Sequence, residues 1–381
     1  MLRVDVKPEM VVWACERSGI DRGELARRIP QLLSWVGGTM KPTLNQLENF
    51  ARVTHTPVGY LFLPSPIEEN VPIPDFRTME GSGVANPSPD LLDTIHICQQ
   101  RQEWYRDYAR TLREPPLAFV NSARVGDDIE ETAKKIREAI SFDLEARRQA
   151  PTWTDALRQF IEQADNIGIL VMVSGVVGSN NTRKLAPQEF RGFALSDDLA
   201  PLIFINGADT KAAQMFTLAH ELAHVWIGQT GLSDVPFVSA PDNATELWCN
   251  KVAAELLVPL DTFRDEYDSS AILNEEMNRL ARRYKVSTLV ILRRMLEVGG
   301  INRIDFNEAY AREIEHLANI PGGGGGNFYL TLAARASKRF ARALVASTLE
   351  GRSSFTEAFR LLGFRKMSTF NDLGHSLGIG I

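Results

Sequence analysis

The sequence predicts an α+β protein that is mostly helical and has one small sheet near the middle of the chain. Amphipathic stretches typical of helices occur on both sides of residues 168–206, where short apolar segments are typical of strands. Five consecutive glycines near residue 324 interrupt the helical pattern late in the chain. We therefore expect a helical N-terminal domain, a central α+β domain and a small helical C-terminal module.

Residues 1–65 predict a small bundle of short helices. Its helices and closing segment are expected at residues 22–29, 42–52 and 57–63, and this arrangement resembles an XRE-like helix-turn-helix domain. The expected recognition helix lies in residues 30–38, which contain no Lys or Arg, and only Gln31 and Ser34 could hydrogen-bond to base edges. We therefore expect DNA binding to be weak or absent, with recognition of a similar domain in a partner protein as the alternative.

Residues 66–127 predict a linker followed by a long helix. The segment 64–89 is polar and rich in proline, and residues 90–113 read as the helix. This helix carries His96, which has no partner at metal-ligand spacing, so we expect a structural role for it.

The central domain is expected to span residues 128–320 and to contain a small mixed or antiparallel sheet. Its strands are predicted at residues 168–173, 190–195 and 202–206. We expect the strand Leu202–Asn206 or its neighbour to lie at an edge of the sheet, where an extended peptide can bind by main-chain hydrogen bonds.

A metal site is indicated by His220-Glu-Leu-Ala-His224, which lies in a largely apolar helix predicted from residue 211 to residue 228. Histidines at i and i+4 share one face of a helix about one turn apart, so both can bind a single ion. Glu221 lies roughly 100° around the helix from His220. It is therefore placed to reach a water on the ion rather than the ion itself.

A third protein ligand is expected from the next helix, which begins near Glu246 and ends before Pro259. Glu246 is our choice, because Asn250 follows one turn later on the same face and could hold the outer nitrogen of a histidine ligand. Glu255 and Asp242 remain alternatives for the third ligand.

At these residues the chain resembles the ImmA/IrrE-family metallopeptidases that carry an N-terminal XRE-like helix-turn-helix domain. The resemblance rests on residues 216–224, on Glu246 to Pro259 and on the strand segments 192–195 and 201–206. It continues in 60–63, in Ile73-Pro-Asp-Phe-Arg-Thr78, around residue 328 and in 358–363. It implies a zincin-like core with zinc held by His220, His224 and Glu246, manganese or iron being alternatives.

The resemblance also implies a regulatory endopeptidase in which Glu221 is the general base for an attacking water. Relatives of this kind cleave XRE-type repressors and so switch on stress-response genes, which makes a repressor the expected protein substrate. A second reading is a DNA-binding or antitoxin-type regulator, the partner of a PIN-like toxin, with a vestigial or structural metal site. A purely structural protein is a third, less favoured reading.

Composition predicts a cytoplasmic protein without a membrane anchor. The N-terminus does not have the pattern of a signal peptide, and no apolar run reaches the roughly 18 residues that span a bilayer. The three cysteines are far apart and odd in number, which argues against a disulfide framework.

The net charge of −6 is unevenly distributed along the chain. Residues 1–65 carry eight basic and six acidic side chains, and residues 328–381 carry eight and three, so the central part is strongly acidic. Because residues 321–327 are glycine-rich, we expect them to act as a flexible hinge. The basic module 328–381 is then predicted to move independently and to capture a partner. The alternative is that Phe328, Phe340, Leu344 and Phe359 dock firmly on the core and that the glycines form only a loop.

Overall fold

The computed structural model describes residues 3–76, 87–233, 243–318 and 334–380. These residues form a mostly helical α+β protein with one four-stranded mixed sheet, which confirms the predicted fold class. They divide into two compact units: residues 3–72 with 87–95, and residues 73–76 with everything described from His96 onward. No helix among the described residues is long and apolar enough to cross a membrane.

The first unit consists of four short helices and a 3₁₀ turn. They are α1 (Pro8–Arg17), α2 (Arg22–Arg28), α3 (Leu32–Val36), α4 (Leu44–Val53) and the turn Val58–Phe62. Asp21 caps α2 by accepting hydrogen bonds from two backbone N–H groups, and Thr43 forms a capping box with Gln46 at the start of α4. These caps explain why the predicted helices begin where they do.

A long helix, α5 (Pro89–Leu112), begins in the first unit and continues into the second. Its second half is embedded in the second unit. Arg101 is buried and donates to the backbone carbonyls of Arg335 and Leu361, and Gln102 donates to those of Leu195 and Ala200. His96 is exposed on this helix and lies outside the histidine cluster of the metal site.

The helices that follow α5 among the described residues form a central group and a C-terminal group. Those of the central part are α6 (Ile129–Ala139), α7 (Leu144–Gln149), α8 (Trp153–Asn166), α9 (Lys211–Trp226), α10 (Ala244–Leu257), α11 (Leu260–Glu266), α12 (Leu273–Tyr284), α13 (Thr288–Glu297) and α14 (Arg303–Ala318). The C-terminal helices are α15 (Lys338–Leu349), α16 (Phe355–Leu362) and α17 (Met367–Ser376). Helices α6 to α14 all contribute side chains to one large apolar core.

The sheet has the order β1-β3-β2-β4, formed by Leu170–Ser174, Leu202–Asn206, Gly192–Leu195 and Gly231–Ser233. Strand β3 runs parallel to β1 and antiparallel to β2, and β4 runs antiparallel to β2. The expectation that Leu202–Asn206 lies at an edge is therefore wrong, because β3 pairs on both sides. Its neighbour β1 is an edge strand among the described residues. Peptide binding at that strand stays a prediction. The fourth strand, β4, was not predicted; its three residues are too few to show a pattern.

The C-terminal helices pack against the rest of the second unit, which agrees with the docked alternative and not with the predicted freely moving module. Both carboxylate oxygens of Asp165 in α8 accept hydrogen bonds from this region, at 2.6 Å from Ser337 Oγ and at 2.9 Å from Arg339 N. Phe340 is fully buried and lies edge-on to Trp104 of α5. The physical reason is that α15 has an apolar face that gains stability when it is removed from water. The predicted hinge, 321–327, lies outside the described residues.

Candidate metal centre

Helix α9 presents both predicted histidine ligands on one face. Thr210 caps the helix by accepting a hydrogen bond from Ala213 N, and every residue from Ala213 to Trp226 is buried. His220 and His224 lie one turn apart, are both 0% exposed, and approach each other to 3.0 Å between their Nε2 atoms. The helix thus holds two imidazole nitrogens together inside the protein.

Helix α10 packs against α9 and supplies the acidic group of the cluster. Asn243 caps α10, and Glu246 lies in its first turn. The Glu246 carboxylate places Oε2 at 3.1 Å from His220 Nε2 and Oε1 at 2.9 Å from His224 Nε2. The structure therefore brings together the three side chains that the sequence singled out as ligands.

The donor set fits a divalent cation. One ligand atom from each of His220, His224 and Glu246 lies within 4.8 Å of the others, and all three side chains are buried. The Nε2 atoms of the two histidines lie 3.0 Å apart, and each lies within 3.1 Å of a Glu246 oxygen, so one cation among them would satisfy all of these buried polar atoms. Two nitrogens and one oxygen are the protein ligands of catalytic zinc sites that leave a fourth position for water. Manganese or iron would accept the same donors.

Glu221 is fully buried beside this cluster without belonging to it. Neither of its carboxylate oxygens has a hydrogen-bond partner among the described residues. Burial raises the pKa of Glu221 to about 8; the negative charge of Glu246 adds to the rise, while His220 and the hydroxyl of Ser233 oppose it. A buried carboxyl group that no charged side chain neutralises by a hydrogen bond, and that lies beside the ligand cluster, is placed to exchange a proton with a small molecule such as water.

Gly192 of β2 allows the sheet to approach α9 closely at this point. A Cβ atom on Gly192 would lie 2.5 Å from Thr217 Cγ2 and 3.3 Å from an oxygen of Glu221. Any larger residue would therefore push α9 and Glu221 away from the sheet.

The rings of the two histidines are held by different neighbours. Asn250 Oδ1 lies 3.0 Å from Nδ1 of His220, the position proposed for it from the sequence. His224 has no hydrogen-bond partner for its Nδ1 among the described residues, and Phe76 stacks on its ring, with centroids 5.5 Å apart and planes 10° from parallel. On β4, Ser233 Oγ lies 3.4 Å from His224 Nε2. Sequence reasoning missed Phe76 and Ser233, because no spacing relates them to the histidines.

Of the two alternative third ligands, Glu255 lies outside the cluster. Glu255 points elsewhere: it accepts a hydrogen bond from Arg294 Nη2 at 2.8 Å and lies near the backbone N–H of Leu260. Burial raises its pKa, which the positive charge of Arg294 opposes. Asp242 lies outside the described residues.

Comparison with known protein families supports a peptidase domain in the central part of the chain. Residues 164–296 match the family model of the IrrE N-terminal-like domain, Peptidase_M78, and this segment contains all three clustered ligands, Glu221 and Asn250. Residues 336–376 match a domain of unknown function, DUF8813. No curated protein matches the sequence. The match over residues 164–296 supports the ImmA/IrrE-family resemblance for that part of the chain.

Proposed function

We propose that this chain is a zinc-dependent regulatory endopeptidase that hydrolyses a peptide bond in a specific partner protein. The observation that carries the proposal is the convergence of His220, His224 and Glu246 with the buried carboxyl group of Glu221 beside them. The match of residues 164–296 to a peptidase family model supports the same reaction class.

The residues around the site divide the chemistry between them. A bound zinc ion would polarise the scissile carbonyl and lower the pKa of a water to about 7. Glu221 accepts the proton of the attacking water on a carboxylate oxygen and then donates it to the leaving amine. Asn250 fixes the orientation of the His220 ring, and Glu246 adds negative charge that stabilises the bound cation.

An XRE-type repressor is the proposed substrate, and the N-terminal unit is proposed to be an XRE-like helix-turn-helix domain that recognises it. In α3, the segment expected to be the recognition helix, Leu33 is 74% exposed and no side chain is basic. An exposed apolar side chain favours contact with a protein, whereas DNA phosphates require Lys or Arg.

The alternative function is an antitoxin-type or DNA-binding regulator in which the metal is structural. The burial of every ligand to 2% exposure or less is compatible with this reading, since structural sites exclude solvent. The two functions differ at Glu221. A structural site needs the three ligands only, whereas hydrolysis also needs the base.

The test is cleavage of a candidate repressor by the full chain. The zinc-loaded protein is incubated with the repressor encoded by the neighbouring gene, and the fragments are mapped by mass spectrometry. We expect one cleavage site, loss of cleavage after chelation, and recovery when zinc is restored. Glu275→Gln, at an exposed position of α12, serves as a matched control and should cleave normally. Cleavage that persists in His220→Ala would contradict the proposal.

A further inference from the structure

The outer edge of β4 runs beside the metal centre. Its last residue, Ser233, places Oγ 3.4 Å from His224 Nε2, so a chain that pairs with this edge passes next to the clustered ligands. Strand β1 forms the opposite edge of the sheet, three strands away, or about 14 Å at the usual strand spacing. Of the two sheet edges, only that of β4 is adjacent to the proposed reaction.

A segment of the chain itself occupies this edge. The backbone N–H of Leu232 donates to the carbonyl of Pro74 at 2.9 Å, and Asp75 forms a parallel bridge with Leu232. Ile73 is buried, 8% exposed. The segment Ile73–Phe76 therefore lies as an extended strand where a bound peptide would add to the sheet.

The aromatic side chain of this segment fills a subsite formed by Gly231 and His224. A Cβ atom on Gly231 would lie 2.0 Å from Cε2 of the Phe76 ring, so the ring lies directly on the glycine backbone. The other contact is the stacked His224 imidazole, 5.5 Å away between centroids. Because Gly231 has no side chain, its backbone forms a flat platform on which an aromatic ring can lie.

We propose that the outer edge of β4, with the platform of Gly231 and His224, is the peptide-docking surface of this protein, and that Ile73–Phe76 is its intramolecular occupant. The ligand is an extended peptide that places an aromatic side chain on Gly231. This inference rests on the proposed peptidase function, since it specifies the substrate of the same site. The segment must leave the edge before a substrate can bind, because one strand edge pairs with one chain at a time.

Peptide binding to the full chain tests this inference separately from catalysis. The probe is a fluorescein-labelled peptide with the sequence Val-Pro-Ile-Pro-Asp-Phe, and its binding to zinc-loaded Glu221→Gln protein is followed by fluorescence anisotropy. We expect weak binding in that background and binding at least roughly tenfold tighter when Phe76→Ala is added, since the internal competitor loses the half-buried ring that contacts Gly231 and His224. A probe with alanine in place of phenylalanine should bind weakly to both proteins.

Three further variants make the test specific. Phe62→Ala removes an aromatic side chain that is 48% exposed in the N-terminal unit, and it should leave probe binding as in the background. Gly231→Ala, added to Phe76→Ala, should abolish the increase in probe affinity. The new methyl group occupies the surface of residue 231 on which the ring of Phe76, or the ring of the probe, would lie. Phe76→Leu keeps an apolar side chain and should give intermediate affinity if Phe76→Ala does not fold.

The inference is overturned if removing the Phe76 ring leaves probe affinity unchanged, or if the alanine probe binds as tightly as the aromatic one. Because every protein carries Glu221→Gln, no outcome depends on hydrolysis. If the probe binds the variants as expected but the parental protein cleaves no repressor, the peptide-docking surface is supported and only the peptidase function is refuted.

Discussion

His220 donates its Nδ1–H to Oδ1 of Asn250 across 3.0 Å, whereas the neighbouring His224 has no such partner for its Nδ1 among the described residues. Because the asparagine oxygen can only accept, this contact assigns the proton to Nδ1 of His220 and leaves Nε2 free to bind a cation. Asn250 therefore prepares the metal-binding tautomer, and Glu246 one turn earlier completes the cluster.

Replacing this amide should weaken metal binding. We expect Asn250→Ala to lower zinc affinity by about 10- to 100-fold, since the His220 ring loses the contact that fixes its orientation and tautomer. Competition with a chromophoric zinc chelator measures the change. Asn274→Ala, at an exposed position of α12, is the matched control and should retain the parental affinity. Equal affinities in the two variants would show that Asn250 does not act on the ligand.

Removing the metal should destabilise the fold. A ligand that binds only the folded state adds about 4 kcal/mol to the free energy of unfolding when present at 1,000 times its dissociation constant. We expect chelation to lower the midpoint of thermal unfolding and zinc to restore it. In His224→Ala neither treatment should shift the midpoint. A parental protein that unfolds at the same temperature with and without zinc would contradict the metal site.

Glu221→Gln should separate catalysis from structure. The amide keeps the size of the side chain but cannot accept the proton of the attacking water, so cleavage of the partner should fall at least about 100-fold. Zinc content should stay at one ion per chain, measured by elemental analysis. If the variant cleaves at the parental rate, Glu221 is not the base. If the variant still regulates its partner in the cell as the parental protein does, the result favours the antitoxin-type regulator.

The C-terminal helices should be required for stability of the second unit. Phe340 is fully buried against α5, so Phe340→Ala is expected to cost about 3–5 kcal/mol in the free energy of unfolding. Phe355→Ala, at a side chain that is 40% exposed, should cost less. Denaturant titration of both variants provides the comparison. Similar midpoints for Phe340→Ala and the parent would support the independent module that the sequence predicted.

The N-terminal unit should bind duplex DNA weakly. With no Lys or Arg in α3 it can neutralise few phosphates there, so we expect a dissociation constant no better than about 10⁻⁴ M at physiological salt. Anisotropy titration of the full chain with a labelled duplex tests this. Tight, sequence-specific binding would instead favour the DNA-binding regulator.

Local spacing accounts for what the sequence determined. Histidines at i and i+4 share a helix face whatever surrounds the helix, so His220 and His224 could be paired from their positions alone. The same geometry excluded Glu221 from the ligands and placed Asn250 one turn after Glu246. Capping residues such as Asp21 and Thr210 likewise act within a few positions of themselves, which is why helix starts were predictable.

Contacts between distant segments were decided only by the tertiary structure. Strand order depends on which backbone edges meet, and β3 lies inside the sheet although its sequence alone suits an edge as well. Asp165 holds the C-terminal helices from more than 170 positions away, and a glycine-rich sequence gives no sign of that docking. Phe76 and His224 are likewise far apart in the sequence, and their rings stack only in the folded structure. Such contacts follow from complementary shape and buried apolar area, which a periodic pattern within one segment does not contain.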